Sequence, residues 1–378
     1  MIAESNRGGI LLMLSIVLLT LSCAKKESNS SENNDSNFRV YEIQQRFGSD
    51  GLSGSFVIPE NGISFLLSIF LDNNNSVIFK SLSDPDGIDI LSSSSTPNLY
   101  LDASGSPGSS LIKNGYANIL VPQSPNFSAK AGKWTFKAYN NNRVKLALRT
   151  GTANSDTIIP VQPFITGTTW SSENISNALS VMSGIYLKNG VPLNIMGTIT
   201  INETEYSAVS PTFTNTTTSA LVKQGSSDAV NIFFIEDYSE SGSGILGNAA
   251  GMPGSIGDVN SWNGVLVSLT AHATGNSLDA QLLGETAAHE MGHQLGLFHT
   301  TEKEGTVFDI LSDTPECLSN SQDNDSNGTV TAEECNEFGG DNLMFWTSWS
   351  SGSRSDGKKQ ETLSSEQQQV LKYSPIAK

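Results

Sequence analysis

The segment Ala288-His289-Glu290-Met291-Gly292-His293-Gln294-Leu295-Gly296-Leu297-Phe298-His299 holds three of the four histidines of the chain. His289 and His293 are four residues apart, so on an α-helix they stack one turn above the other on one face, close enough to share an ion. Glu290 follows the first of them and brings a carboxylate beside that ion without making it a ligand. Two imidazoles in this arrangement bind zinc, and the glutamate then serves as general base toward an attacking water. Gly296 comes three residues after His293, where a helix can end in a left-handed residue at little steric cost. The chain can then swing back so that His299 supplies a third nitrogen. Three neutral ligands leave the fourth tetrahedral position open, the mark of a catalytic rather than a structural zinc site. The fourth histidine, His272, lies in the loop-like stretch LTAHATG and is expected to be a surface polar residue.

A second pattern suits a harder cation. Residues 323–334, DNDSNGTVTAEE, fit the calcium-loop template D-x-[DN]-x-[DN]-G-x5-E at every fixed position. Asp323, Asp325 and Asn327 would offer side-chain oxygens, Thr329 a backbone carbonyl and Glu334 a bidentate carboxylate, while Gly328 permits the sharp turn. Pro315 and a Ser/Asn-rich run precede the loop, so a single structural calcium site is expected rather than a paired sensor. Cys317 and Cys335 bracket the loop and are expected to form a disulfide. Closing an 18-residue separation would contribute roughly 3 kcal/mol in the chain-entropy model.

The remainder of the chain must position these groups. Its 378 residues exceed the usual single-domain size of roughly 100–200, so two folded units are expected. With 38 acidic against 21 basic residues the net charge is −17, which argues against nucleic acid or an anionic membrane surface as partner. Arg7 precedes an apolar run, ILLMLSIVLL from Ile10 to Leu19, too short to span a bilayer and suited to the core of a secretory signal. Leu19-Thr20-Leu21-Ser22-Cys23 follows and resembles a bacterial lipoprotein signal, in which the cysteine receives lipid and becomes the new N-terminus. Thr20 departs from the leucine usual at its position. Lipidation of Cys23 would leave Cys317 and Cys335 as an even pair in an oxidising compartment.

Residues 24–37 carry no large apolar side chain and read as a flexible tether. From about Phe38 to Thr150 the pattern is β. Trp134, Phe136 and Ala138 alternate with polar residues, Asn140-Asn141-Asn142 follow, and then Val144, Leu146 and Leu148 alternate, which predicts a hairpin with one buried face. Runs at Ile63–Leu71 and Ser76–Lys80 around Asn73-Asn74-Asn75 extend this to an antiparallel sandwich. The segment AGKWTFKAYN resembles a strand of the accessory sandwiches beside secreted bacterial proteases, and a pro-segment is the competing reading. After Ser155 the pattern becomes mixed: strands at Ile158–Ile165, Met196–Ile201, Ala229–Glu236 and Val265–Leu269, and a helix carrying Ile175, Ala178, Leu179, Met182 and Ile185. A further helix should begin near Ser277 and run into the histidine motif. Ser364 with Gln367 forms a capping box for a last helix.

H-E-x-x-H-x-x-G-x-x-H with a downstream methionine resembles the metzincins, zinc endopeptidases with a methionine-bearing turn beneath the metal. The turn corresponds here to Asp341-Asn342-Leu343-Met344-Phe345-Trp346, and the resemblance assigns Met344 a structural role. It looks most like the pappalysin branch, because Thr300 follows His299 and Asp309-Ile310-Leu311-Ser312-Asp313-Thr314-Pro315 resembles that branch's D-x-x-x-D-T-P segment. Several metzincins carry a tyrosine two residues after the methionine, where Trp346 stands here.

Together these readings predict an α+β chain. Its parts are a lipoprotein signal (1–23), a tether (24–37), a β-sandwich or pro-segment (38–152) and a metzincin-like catalytic domain (153–378) with a calcium-loop insertion at 317–335. The expected cofactors are catalytic zinc and structural calcium. The expected partners are protein or peptide substrates and a membrane met only through the lipid, with no nucleic acid and a monomeric state, at the bacterial cell envelope. A calcium-dependent adhesion lipoprotein with an inactive protease-like domain is the alternative; an intact Glu290 speaks against it.

Overall fold

A computed structural model describes residues 37–48, 51–70, 78–91, 116–139, 143–153, 157–239 and 244–378. The signal-like run, Cys23 and nearly all of the tether lie outside the described residues, as do the two Asn-rich turns. Among the described residues no helix is long and apolar enough to cross a membrane.

Eight strands come first: β1 (Phe38–Glu42), β2 (Gln45–Gly48), β3 (Gly51–Ile58), β4 (Gly62–Phe70), β5 (Ile78–Ser83), β6 (Tyr116–Val121), β7 (Gly132–Tyr139) and β8 (Arg143–Thr150). They form two four-stranded antiparallel sheets, ordered β1-β8-β4-β6 and β2-β3-β7-β5. The expected hairpin of residues 133–149 does not form, because β7 pairs with β3 and β5 whereas β8 pairs with β1 and β4. The reason is that alternation fixes which face of a strand is buried and leaves its hydrogen-bonding partner open. Trp134 and Phe136 from one sheet and Leu146 and Leu148 from the other enter a single core. There the Trp134 and Phe65 rings meet edge to face at 5.0 Å. β4 and β5 are likewise divided between the sheets.

The second half is built on a mixed sheet. β9 (Ile159–Thr166), β13 (Val230–Ile235) and β16 (Val265–Ser268) run parallel at its centre, and β15 (Gly247–Ala249) closes one edge antiparallel to β16. All eight residues of β9 and all six of β13 are buried, as near-continuous apolar runs should be when both faces are covered. The strand expected at 196–201 is instead two short ones, β10 (Leu193–Ile195) and β11 (Ile199–Ile201), both parallel to β9. The break falls at Gly197, whose carbonyl accepts from Gln162 Nε2 at 2.8 Å. Small pairs β12 (Ala208–Val209) with β14 (Asp237–Tyr238), and β17 (Ala273–Thr274) with β18 (Ser277–Leu278), complete the strands.

One face of the sheet carries α1 (Ser172–Lys188) and α3 (Ala280–Gln294). Ile175, Leu179, Met182 and Ile185 of α1 meet Leu283, Ala287 and Met291 of α3 and Val161, Ile232 and Val267 of the sheet. Each fully buried aliphatic side chain contributes about 1.5–3 kcal/mol. The Tyr186 hydroxyl donates to the Ala288 carbonyl at 2.9 Å, fixing α1 on the histidine helix. The other face packs on α2 (Thr216–Val222) and its neighbouring loops through Phe164, Phe233 and Leu266. Leu66, Leu120 and Ala147 of the first two-sheet unit join the core on the helix-covered side. Short helices α4 (Ser319–Gln322) and α5 (Ser351–Ser355) precede α6 (Ser365–Lys372). Ser364 and Gln367 form the capping box at the start of α6.

α3 begins at Ala280 rather than near Ser277. Asp279 accepts from the Leu282 amide at 2.9 Å and sets the start, while Ser277 and Leu278 are taken up in β18. His272 also differs from expectation: it is 3 % exposed, not a surface residue. Its Nδ1 donates to the Ser268 carbonyl at 2.6 Å, and its Nε2 accepts from the Thr286 hydroxyl at 2.9 Å, so it ties the end of β16 to α3. The loop around it is exposed, but the ring turns inward to satisfy two buried polar groups.

Burial lowers the His272 pKa from 6.5 to about 4, with Arg354 adding to the effect and Ser268 and Asp279 opposing it. Between those pH values the unfolded chain binds the proton and the folded chain does not. The contribution of the neutral ring is therefore fully present above about pH 6.5 and is lost as pH falls toward 4, at up to ~1.4 kcal/mol per pH unit. Denaturant titrations at stepped pH should show this acid-side slope in the wild type, and His272→Gln should flatten it. An unchanged slope would place the titrating group elsewhere.

Candidate metal centre

α3 ends where its backbone turns left-handed. Leu295 is the last right-handed residue, and Gly296 follows at φ +106°. The Leu297 amide returns to the Gly292 carbonyl at 2.9 Å, closing the helix and sending the chain back toward its own face. His289 and His293 thus project from one side of α3, and His299 meets them from the chain beyond the turn. His293 Nε2 lies 3.1 Å from His299 Nε2, which lies 3.3 Å from His289 Nε2.

What orients the rings is the opposite nitrogen of each. His289 Nδ1 donates to the Leu343 carbonyl at 2.7 Å, and His293 Nδ1 to the Leu297 carbonyl at 2.8 Å. His299 Nδ1 donates to the Glu302 carboxylate at 3.0 Å. With the protons on Nδ1, three Nε2 lone pairs face one point. Tetrahedral zinc with Zn–N of about 2.0–2.1 Å requires an N···N separation of ~3.3 Å, so the donor set fits that ion. Burial, with the neighbouring His299 ring adding to it, lowers the His289 pKa to about 3, which keeps that imidazole neutral.

Glu290 is 8 % exposed. Burial pushes its pKa up to about 8, while an amide hydrogen bond from Ala249 on β15 pulls the other way. His289 and Glu290 share a cavity of about 280 Å³ walled by Leu282, Phe345 and Trp346. Glu285 also lines it, closed into an ion pair with Arg354 at 2.5 Å.

Below the histidines, the turn Asn342–Phe345 reaches the site through backbone groups. Its Leu343 carbonyl holds His289, and its Met344 carbonyl accepts from the Thr300 amide at 3.0 Å, next to His299. Met344 itself is fully buried, and a methyl group at Gly292 would stand 2.5 Å from its sulfur. Glycine between the two helical histidines is what lets the turn approach so closely. Trp346, two residues after Met344, donates Nε1 to the Val330 carbonyl at 2.7 Å.

Cys317 and Cys335 are bonded, with Cα atoms 5.7 Å apart. Both are buried with Val330, Ala332, Phe345 and Trp349, so the bracketed loop packs on the segment that walls the cavity. Within the loop the structure brings together carboxylate oxygens of Asp323, Asp325 and Glu334, all within 4.8 Å of one another. Asn327 is turned into the loop, donating to Asp325 at 2.8 Å and accepting from the Thr329 amide at 2.8 Å. Gly328 takes φ +80° at the bend.

Residues 172–300 match the family model described as metallo-peptidase family M12B, reprolysin-like. This part of the chain is metallopeptidase-like. Extracellular metalloprotease 1 of Coccidioides posadasii is 32% identical over 157 residues, covering 38% of this chain and 51% of that protein. An extracellular metalloprotease of Podospora anserina is 28% identical over 142 residues, covering 37% and 47%. The chain thus spans about half the length of the curated relatives it matches. Among solved structures, archaemetzincin of Methanopyrus kandleri aligns with a TM-score of 0.32 at 12% identity, over 57% of this chain and 94% of that one. Metalloproteinase-II of Bacteroides fragilis aligns at 0.29 and 10%, over 44% and 56%.

The metallopeptidase-like segment contains α1, the central strands and the whole histidine motif. The site also uses groups that the sequence reading missed. Leu343, Leu297 and Ala249 act through their backbones, which leave no mark in a sequence. Glu302 did leave one, a carboxylate three residues after the third histidine. Removing the anionic acceptor from a ligand's outer nitrogen typically lowers metal affinity about 10–100-fold. Glu302→Gln should show such a loss in a zinc competition titration, with little change in thermal stability of the metal-free protein. Wild-type affinity in this variant would mean that His299 is oriented without it.

Proposed function

We propose that the chain is a zinc-dependent endopeptidase of the metzincin type, most like the pappalysin branch, and anchored by lipid on Cys23 at the bacterial cell envelope. One observation carries the reading. Three imidazole Nε2 atoms converge within 3.1 and 3.3 Å, and Glu290 lies in the cavity that opens beside them.

His289, His293 and His299 would hold the zinc, which when bound would supply Lewis acidity and lower the pKa of a water toward neutrality. Glu290 is the carboxylate placed to accept a proton from the attacking water and to return it to the leaving amine of the peptide. Its burial favours the protonated form, and the Ala249 amide steadies the charged one, so the carboxylate can hold the proton in either direction. Glu290→Gln keeps the shape of the side chain and removes the base. Casein cleavage should fall ~10²–10⁴-fold while zinc stays bound, the range typical of general base removal. Undiminished cleavage would remove Glu290 from this role.

The pappalysin reading is supported by the 309–315 segment. Asp309 accepts from the Thr314 hydroxyl at 2.6 Å, and Asp313 accepts from the Glu366 amide at the start of α6 at 3.0 Å. The two-sheet unit is read as an accessory sandwich. Trp346 is held by Val330, so a phenol-like role for it in stabilising the oxyanion has no support.

The loop of residues 323–334 is read as a structural calcium site with Asp323, Asp325, Asn327, Thr329 and Glu334 as ligands. Asp323 and Glu334 already accept backbone amides of Gly328 and Asn324 at 2.9 Å, which shapes the loop around its carboxylates. An ion that binds only the folded chain stabilises it by about 2.7 kcal/mol at 100 times its dissociation constant. Calcium should therefore raise the melting temperature, and Asp323→Ala together with Glu334→Gln should abolish the increment. A calcium-independent melting temperature in the wild type would refute this site.

A further inference from the structure

Strand β6 has two working faces. Ala117, Ile119 and Val121 enter the core of the two-sheet unit. The alternate residues leave that unit altogether. Tyr116 donates its hydroxyl to the Ala250 carbonyl and stacks on Trp262 with ring centroids 3.9 Å apart. Asn118 donates to the Pro253 carbonyl at 3.1 Å. Leu120 joins the core of the metallopeptidase-like half, beside Leu295 and Leu297.

Leu120 presses on the turn between the second and third histidines. A Cβ at Gly296 would stand 2.8 Å from Leu120 Cδ2, so the leucine closes directly over the glycine backbone. Just past the strand, Gln123 Nε2 donates to the Gly296 carbonyl at 3.4 Å. The residue before the turn is held from the same side: Gln294 donates to the Ser255 carbonyl at 2.9 Å and accepts from the Gly254 amide at 3.0 Å. That loop is the one on which Tyr116 and Asn118 dock. Gly296 lies between His293 and His299, and Leu297 next to it supplies the carbonyl that orients His293.

We propose that the N-terminal two-sheet unit is a permanent brace of the metal centre, with Leu120 and Gln123 as positioning residues that fix the turn carrying the third histidine. A left-handed residue at a helix end has several ways to leave, and the direction of departure decides where His299 lands. The bond from the Leu297 amide to the Gly292 carbonyl starts the turn, and the apolar contact of Leu120 and the hydrogen bond of Gln123 hold it in that direction. Leu120 and Gln123 do not line the cavity beside His289 and Glu290. They act through Gly296 on two of the three nitrogens, so losing them weakens metal binding. A pro-segment would behave in the opposite way, since its removal would free the site. This inference rests on reading the three histidines as a zinc site.

The test uses the whole chain from the tether onward and measures zinc affinity against a chromophoric chelator. Leu120→Ala should weaken zinc binding about 10-fold or more, by analogy with other groups that orient ligands from behind. Leu120→Met should restore near wild-type affinity, and Gln123→Ala should show a smaller loss in the same direction. Leu120→Val serves where the alanine variant fails to fold. Tyr116→Phe and Asn118→Ala reach the turn only through the loop that holds Gln294, and should lower the melting temperature with a smaller loss of zinc affinity than Leu120→Ala. Wild-type affinity in every Leu120 and Gln123 variant overturns the brace. So does an equal loss in the Tyr116 and Asn118 controls, which would reduce the effect to general docking. If the wild type itself binds no zinc, the failure lies with the metal reading and not with the brace.

Discussion

Three imidazole lone pairs pointed at one place repel each other and leave buried acceptors unsatisfied, so such an arrangement persists only if a cation sits among them or the surrounding structure enforces it. The enforcement here is visible on the far side of each ring. Two backbone carbonyls and one carboxylate take the three Nδ1 protons. That choice of tautomer leaves nothing but lone pairs inside, and it makes the pocket a receptor for a positive ion.

The acceptors come from three separate parts of the chain, and their own supports run outward from the site. Leu343 stands in the methionine turn, whose Asn342 accepts from the Met344 amide at 2.8 Å and donates to Gln367 at 2.9 Å. Gln367 is also the capping-box residue of α6, accepting from the Ser364 amide at 2.9 Å. One glutamine therefore both starts the last helix and clamps the turn beneath the three histidines. Leu297 stands in the turn after α3, and Glu302 in the strand-like segment after His299, where Thr301 bridges Phe308.

The parts of this centre that were legible in the sequence are those fixed by helix geometry and by backbone sterics. Spacing of four puts His289 and His293 on one face, and only a residue tolerant of positive φ can turn the chain at Gly296. The supports were not legible, because a carbonyl is the same group in every residue and its direction is a product of the whole fold. The same limit governs the β region. Alternation at 134–138 and 144–148 identified the buried side chains, but pairing was settled by packing across the core, and the two runs went to different sheets. His272 looked like a loop residue because small and turn-forming residues, Thr270, Ala271, Ala273, Thr274 and Gly275, surround it. Its burial follows from Ser268 and Thr286, which are distant from it in pattern but not in space.

The division of β7 and β8 between two sheets has a consequence for how the chain reaches its native state. Apart from β2 with β3, the paired strands of the first unit are not consecutive, and β1 waits for β8, more than a hundred residues away in register. Few local contacts can therefore nucleate this unit, and loop-closure entropy must be met before its long-range pairings form. During synthesis the early strands remain open-edged until residue 150 has emerged. A chain built this way depends on being kept from its own neighbours until its last N-terminal strand arrives.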